Sequence, residues 1–156
     1  MLNEIDQIVR QEIDLQGPGC AVAVVKDGQP VHSEGYGMAN LEWGCPVRPD
    51  TVFRLASITK QFTATAIMLL ERQGKLRLDD SITTYLPDYP THDCNITITH
   101  LLNHTSGIKS YTGLDIFLTE IAKKDMAPAD LLAYFKDLPL DFEPGTRFLY
   151  NNSGYH

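Results

Sequence analysis

A membrane-spanning segment is missing from this chain: no apolar run reaches the roughly 18 residues that a helix needs to cross a bilayer. Basic clusters are missing too, beyond Lys123-Lys124, and with a formal net charge of -7 this argues against nucleic acid or an anionic membrane surface as a partner. Cysteine is scarce. Cys20, Cys45 and Cys94 are odd in number and far apart, with no Cys-x-x-Cys, so neither a disulfide framework nor a thiolate zinc site is expected. Reduced thiols are the expectation. The first residues, Met1-Leu2-Asn3-Glu4-Ile5-Asp6, lack the basic and apolar regions of a signal peptide, which points to the cytoplasm; a periplasmic or secreted protein whose leader had been removed would look the same. There is no internal repeat, no low-complexity stretch and no expected cofactor. What is present, 156 residues that are 43% hydrophobic and 21% charged, suffices for one globular domain with a real core.

Taken in order, residues 3–15 read as an amphipathic helix, with Leu2, Ile5, Ile8, Val9 and Ile13 at helical spacing and a stop at Gly17-Pro18-Gly19. Cys20 to Val25 and Pro30 to Met38 read as the strands of a β-hairpin around Lys26-Asp27-Gly28-Gln29. Residues 41–51 read as a loop. From about Ser57 to Gln73 the pattern is helical and apolar on nearly every side, which predicts a helix buried within the fold. Further short helices are expected from Thr97, capped by Thr97 or Thr99, over Leu114 to Ala122, and from Pro128 as a first-turn residue. The class is α+β: a helix and an antiparallel hairpin followed by a mostly helical region.

The first chemical candidate is Ser57-Ile58-Thr59-Lys60. Residues three apart share a helix face, so the Lys60 amine can reach the Ser57 hydroxyl, and the free N–H groups of a first helical turn can hold a developing oxyanion. Spacing alone is weak, since chance supplies about 0.3 Ser-x-x-Lys pairs in such a chain, and Ser106-Gly107-Ile108-Lys109 is a second match. Gly107 and the following Ser110-Tyr111-Thr112-Gly113 make that second site a turn, with no helix to bring Lys109 back over Ser106. Ser57 is favoured. The second candidate is Tyr150-x-Asn152. A phenol near a lysine ammonium can serve as a general base, and the asparagine can bond both the lysine and a substrate amide. A turn tyrosine beside cap-type asparagines accounts for the same residues equally well.

His100 and His104 stand at i and i+4, near His92 and Cys94, a spacing that could ligate zinc. Leu101, not glutamate, follows His100, so the zinc-protease motif is absent; a structural or surface role is expected, with support of a neighbouring site as the lesser alternative.

Five blocks occur in a telling order: Phe53-x-Leu55-x-Ser57-x-Thr59-Lys60; Gly74-Lys75-Leu76-x-Leu78-Asp79-Asp80 with Tyr85-Leu86-Pro87; Ile98-Thr99-His100-Leu101-Leu102-x-His104-Thr105-Ser106-Gly107; Phe142-x-Pro144-Gly145; and Tyr150-x-Asn152-x-Gly154-Tyr155. Together they resemble the serine β-lactamase and penicillin-binding-protein-like family, most of all its class C branch with esterases and D-aminopeptidases, over nearly the whole chain. The resemblance implies an incomplete β-lactamase/transpeptidase-like fold in which Ser57 is acylated by an amide, lactam or ester and the acyl-enzyme is then hydrolysed. It casts Lys60 as proton partner, Tyr150 as base and Asn152 as the group orienting lysine and substrate, with a small molecule or peptide as substrate. The Ser57 N–H would be one oxyanion donor. The other, and the family's third motif, come from a later strand that this sequence does not contain.

Residues 1–156 are therefore expected to be the N-terminal portion of one such domain, inactive or weak alone and able to self-associate through an exposed sheet edge. The alternative is a non-catalytic fragment or penicillin-binding-like pseudo-enzyme acting by association. Asn151 departs from the serine common at its position, which reads as a variable one.

Overall fold

The computed structural model describes residues 2–156, with side chains from residue 4 onward, so Met1 and the Leu2 side chain expected on the first helix's apolar face lie outside the described residues. The chain divides into two compact units, Met1–Leu55 and Ala56–His156. It is α+β, with helices and small antiparallel sheets.

In the first unit, α1 (Leu2–Glu12) half-buries Ile5 and Val9, and Ile13 just past its end continues that stripe, while Ile8 stays 62% exposed. The helix ends earlier than its apolar spacing suggests because Asp14 draws the backbone elsewhere: its carboxylate accepts the Gln16 N–H at 2.9 Å, a local bond that competes with helix continuation. Strands β1 (Cys20–Lys26) and β2 (Gln29–Tyr36) form the hairpin. Its two-residue turn has positive φ at both Asp27 (51°) and Gly28 (75°), the mirror-image turn that matches strand twist. Residues 41–51 are not wholly loop as expected: β3 (Met38–Asn40) pairs with β4 (Cys45–Pro46). Three residues before a turn and two after it carry too little alternation to show such a short pair in sequence.

In the second unit, Ala56–Ile58 make one 3-10 turn that runs into α2 (Thr59–Arg72). The expected burial of this helix is not observed. Among its described residues none is buried, and Phe62, Met68 and Leu69, like Ile58 just before the helix, are each more than half exposed. Apolar residues on every side record a demand for covering surface, not its presence, and burial needs packed neighbours on every face.

Helix α3 (Ile98–Leu102) is capped by Thr97, whose hydroxyl accepts the His100 N–H while His100 Nδ1 accepts the Thr97 N–H, each at 3.3 Å. Helix α4 (Pro128–Leu132) carries Pro128 in its first turn. The helix expected over Leu114 to Ala122 is absent: backbone bonds there reach back three, four and then five residues, so the turn widens instead of repeating, and only Ile121–Lys123 closes a 3-10 turn. Ile82, Ile96, Ile108 and Phe135 form the buried core, with Leu101, Tyr111 and Leu132 packed against it.

A backbone ladder then sets the stage for the site. His104 accepts the Leu149 N–H (3.0 Å), Thr105 the Gly145 N–H (2.9 Å) and Gly107 the Asp141 N–H (2.7 Å). Gly107 is required here, since its φ is +73° and a Cβ would lie 2.0 Å from the Phe142 carbonyl oxygen.

Candidate active site

The sequence brings Ser57 and Lys60 together locally. Ser57 sits in the 3-10 turn and Lys60 in the first turn of α2, and Lys60 Nζ donates to Ser57 Oγ at 3.3 Å. Ala56, just before the serine, has φ +47°, a left-handed backbone that non-glycine residues seldom adopt and that tends to mark functional turns. No side chain caps the start of α2, so its first N–H groups have no side-chain acceptor.

The other half arrives from far along the chain. Tyr150 OH lies 2.5 Å from Ser57 Oγ, and Asn152 Oδ1 accepts from Lys60 Nζ at 2.7 Å. The Lys60 ammonium also sits over the Tyr150 ring, 4.8 Å from its centroid, and 5.7 Å from that of Tyr155. The Tyr150 phenol is pushed below the ordinary tyrosine range by hydrogen bonding to Lys60 first and to Ser57 second, against an opposing effect of burial. A phenol so lowered lies within hydrogen-bond reach of the serine hydroxyl, and Lys60 bridges Ser57 Oγ and the Asn152 amide oxygen. All four residues singled out from the sequence thus meet within one unit.

The competing pair does not meet. Ser106 is buried and its Oγ accepts the Ile108 N–H at 3.3 Å, while Lys109 pairs with Asp141 at 2.7 Å. The histidines go their separate ways as well: His100 closes the capping box, and His104 Nδ1 accepts the Asn151 N–H at 3.2 Å. Among the described residues no group of three or more His, Cys, Asp or Glu side chains is placed to hold a metal ion.

Several residues that build the site escaped the sequence reading. Asn151, which reads as a variable position in sequence, is 4% exposed; its Nδ2 donates to the Ile108 carbonyl and its Oδ1 accepts the Gly154 N–H at 2.8 Å. Thr112 Oγ1 accepts from Asn152 Nδ2 at 3.0 Å, which leaves Oδ1 as the atom turned to Lys60, and Ser110 Oγ accepts the Asn152 N–H at 3.3 Å. Ser153 Oγ accepts the Tyr111 N–H at 2.9 Å. Partners some forty residues apart leave no local periodicity; the one available hint was that Asn151 and Ser110 to Thr112 lie in or beside the quoted blocks. Between α2 and these segments a cavity of about 150 Å³ opens beside Lys60, lined by Ala56, Thr59, Tyr111 and Asn152 among others.

Comparison with known proteins shows the family. A family model described as Beta-lactamase matches residues 5–156. The chain is 34% identical over 136 residues to penicillin-binding protein 4* of Bacillus subtilis (strain 168), covering 86% of this chain and 30% of that protein. Among solved structures, the octameric penicillin-binding protein homologue from Pyrococcus abyssi superposes with a TM-score of 0.76 at 33% identity, covering 99% of this chain and 36% of that one. The D-amino acid amidase from Ochrobactrum anthropi SV3 superposes with a TM-score of 0.79 at 29% identity, covering 98% and 43%. The chain therefore spans about a third of the length of the relatives it matches.

Proposed function

Because the chain belongs to the beta-lactamase family, we propose that it carries the acylating centre of a serine hydrolase, with Ser57 as nucleophile, Tyr150 as base, and Lys60 and Asn152 holding the proton-transfer geometry. The observation that carries the reading is the 2.5 Å approach of Tyr150 OH to Ser57 Oγ with Lys60 bonded to both Ser57 and Asn152.

Ser57 Oγ attacks the carbonyl carbon of an amide, lactam or ester as its proton passes to Tyr150. The Lys60 ammonium stabilises the phenolate before the transfer and is held toward it by Asn152 Oδ1. Ser57's own N–H stabilises the developing oxyanion. Collapse of the tetrahedral intermediate expels the leaving group, which takes a proton from Tyr150; water then hydrolyses the ester on Ser57. Residues 1–156 act in this scheme as the N-terminal portion of the family's domain, and turnover by them alone is expected to be slow.

Incubation with a penicillin followed by intact-mass measurement tests the proposal. A mass gain of one acyl group in wild type and none in Ser57→Ala is the expected result; equal gain in both would remove Ser57 from the mechanism. A second reading, a chain that acts by association without turnover, draws on the exposed Phe62, Met68 and Leu69 of α2. It predicts assembly in solution and no adduct.

A further inference from the structure

His104 grips the chain on both sides of Tyr150. Its backbone carbonyl accepts the Leu149 N–H at 3.0 Å and its ring Nδ1 accepts the Asn151 N–H at 3.2 Å. Between those two bonds its ring lies against the Tyr150 ring, centroids 4.7 Å apart and planes tilted by 41°. The His104 ring also neighbours Tyr155, with centroids 5.2 Å apart, and Phe148, 5.9 Å away and nearly perpendicular. His104 lies just past the end of α3 with φ +62°, the left-handed region that ends many helices, and the Thr105 N–H there bonds the His100 carbonyl at 2.9 Å. A residue bonded to the amides before and after the base, with its ring against the base itself, does more than end α3.

We propose that His104 is a positioning residue for Tyr150, a three-point clamp that holds the phenol at hydrogen-bond distance from Ser57. This rests on the reading of Tyr150 as the group that takes the Ser57 proton. With Nδ1 accepting, the ring proton resides on Nε2, and the clamp works only while Nδ1 is free of a proton. The charged and titratable groups facing the ring are Lys60 from α2 and Tyr150 and Tyr155 from the last segment. Burial first and the Lys60 ammonium second keep the imidazole below its ordinary value. Protonation would convert Nδ1 from acceptor to donor, release Asn151, and set a second cation beside Lys60. The clamp should therefore open on the acid side of pH 6.5.

The test is the rate at which a fluorophosphonate labels Ser57 in the 156-residue chain between pH 5 and 9, for wild type, His104→Asn and His104→Phe. Asparagine tolerates the left-handed backbone and carries an acceptor oxygen at the same remove from the backbone as Nδ1, but it does not titrate. Phenylalanine keeps the ring and loses the acceptor. At pH 8, His104→Phe should label at least about tenfold more slowly and His104→Asn only several-fold more slowly, since misplacing a reacting group by about an ångström is costly. Below pH 6.5 the wild-type rate should fall more steeply than that of His104→Asn. Wild-type rate and profile in His104→Phe would overturn the proposal; if that variant does not fold, identical profiles for wild type and His104→Asn would do so. The ¹⁵N-labelled chain supplies a readout independent of labelling: the Asn151 amide should shift with the ionisation of His104 in wild type and stay flat in His104→Asn. An Asn151 amide blind to that ionisation contradicts the clamp. Failure to label wild-type Ser57 above the Ser57→Ala background would instead refute the acylation reading, and the amide measurement would still decide the clamp.

Discussion

The two sides of the Ser57 centre are built by opposite means. The Ser57 and Lys60 side rests on one 3-10 turn and the start of α2, a helix with no buried residue among those described, and its geometry is purely local. The Tyr150 and Asn152 side has little regular structure, yet it is bonded on every flank: His104, Ile108, Ser110, Thr112 and Gly154 all bond residues 151 or 152. Among the described residues no buried side-chain nitrogen or oxygen lacks a partner. One side gets its precision from backbone periodicity and the other from satisfied polar groups in a low-dielectric setting, where each bond is stronger and each broken one costs more. The contrast predicts that the first side tolerates change away from its two reactive groups and that the second does not.

Breaking the chemistry across the two sides should have the largest effect. Tyr150→Phe removes the proposed proton acceptor and should slow Ser57 labelling on the order of 10²–10⁴-fold. In wild type the rate should rise with pH as the phenol ionises, with a midpoint below the ordinary tyrosine value of 10, because the lowered phenol is active when deprotonated. A rate independent of pH from 5 to 10 would contradict this. Asn151→Ala should come next, through stability: it strands the Ile108 carbonyl and the Gly154 N–H, and urea unfolding should show a loss of about 1–3 kcal/mol for each group left unsatisfied. A midpoint equal to wild type would mean that these bonds contribute nothing. Thr112→Val, which frees the Asn152 amide to turn, should cost about 1 kcal/mol of positioning and a several-fold slower labelling, with Thr112→Ser restoring both. On the tolerant side, Phe62→Ser on α2 should change unfolding free energy by no more than about 0.5 kcal/mol, since the ring is 65% exposed. A loss of several kcal/mol there would show that α2 is covered in solution.

The same contrast explains what was legible before folding. Ser57 and Lys60 could be paired from spacing because helix geometry is written in the intervals between residues; so could the Thr97 cap, the Pro128 start and the Asp27-Gly28 turn, each a local signal with a local cause. Tyr150 and Asn152 were found only as a pair with an equally good bland account, and it took the order of the five blocks to raise them. His104, Asn151 and Thr112 were passed over or given bland roles because their partners lie about forty residues away, and hydrogen bonds at that range impose no period on sequence. Burial of α2 was overread for a related reason: its apolar pattern states what the helix would prefer to touch, whereas exposure depends on what is there to touch.

The central claim is that Ser57 is the one hydroxyl activated by this geometry. Peptide-level mass spectrometry of the chain after a brief fluorophosphonate exposure, comparing wild type with Tyr150→Phe and Ser57→Ala, tests it directly. The account predicts a single adduct on Ser57, greatly slowed in Tyr150→Phe and absent in Ser57→Ala; labelling of Ser106 or another serine in place of Ser57, or at equal rates in all three proteins, would contradict it.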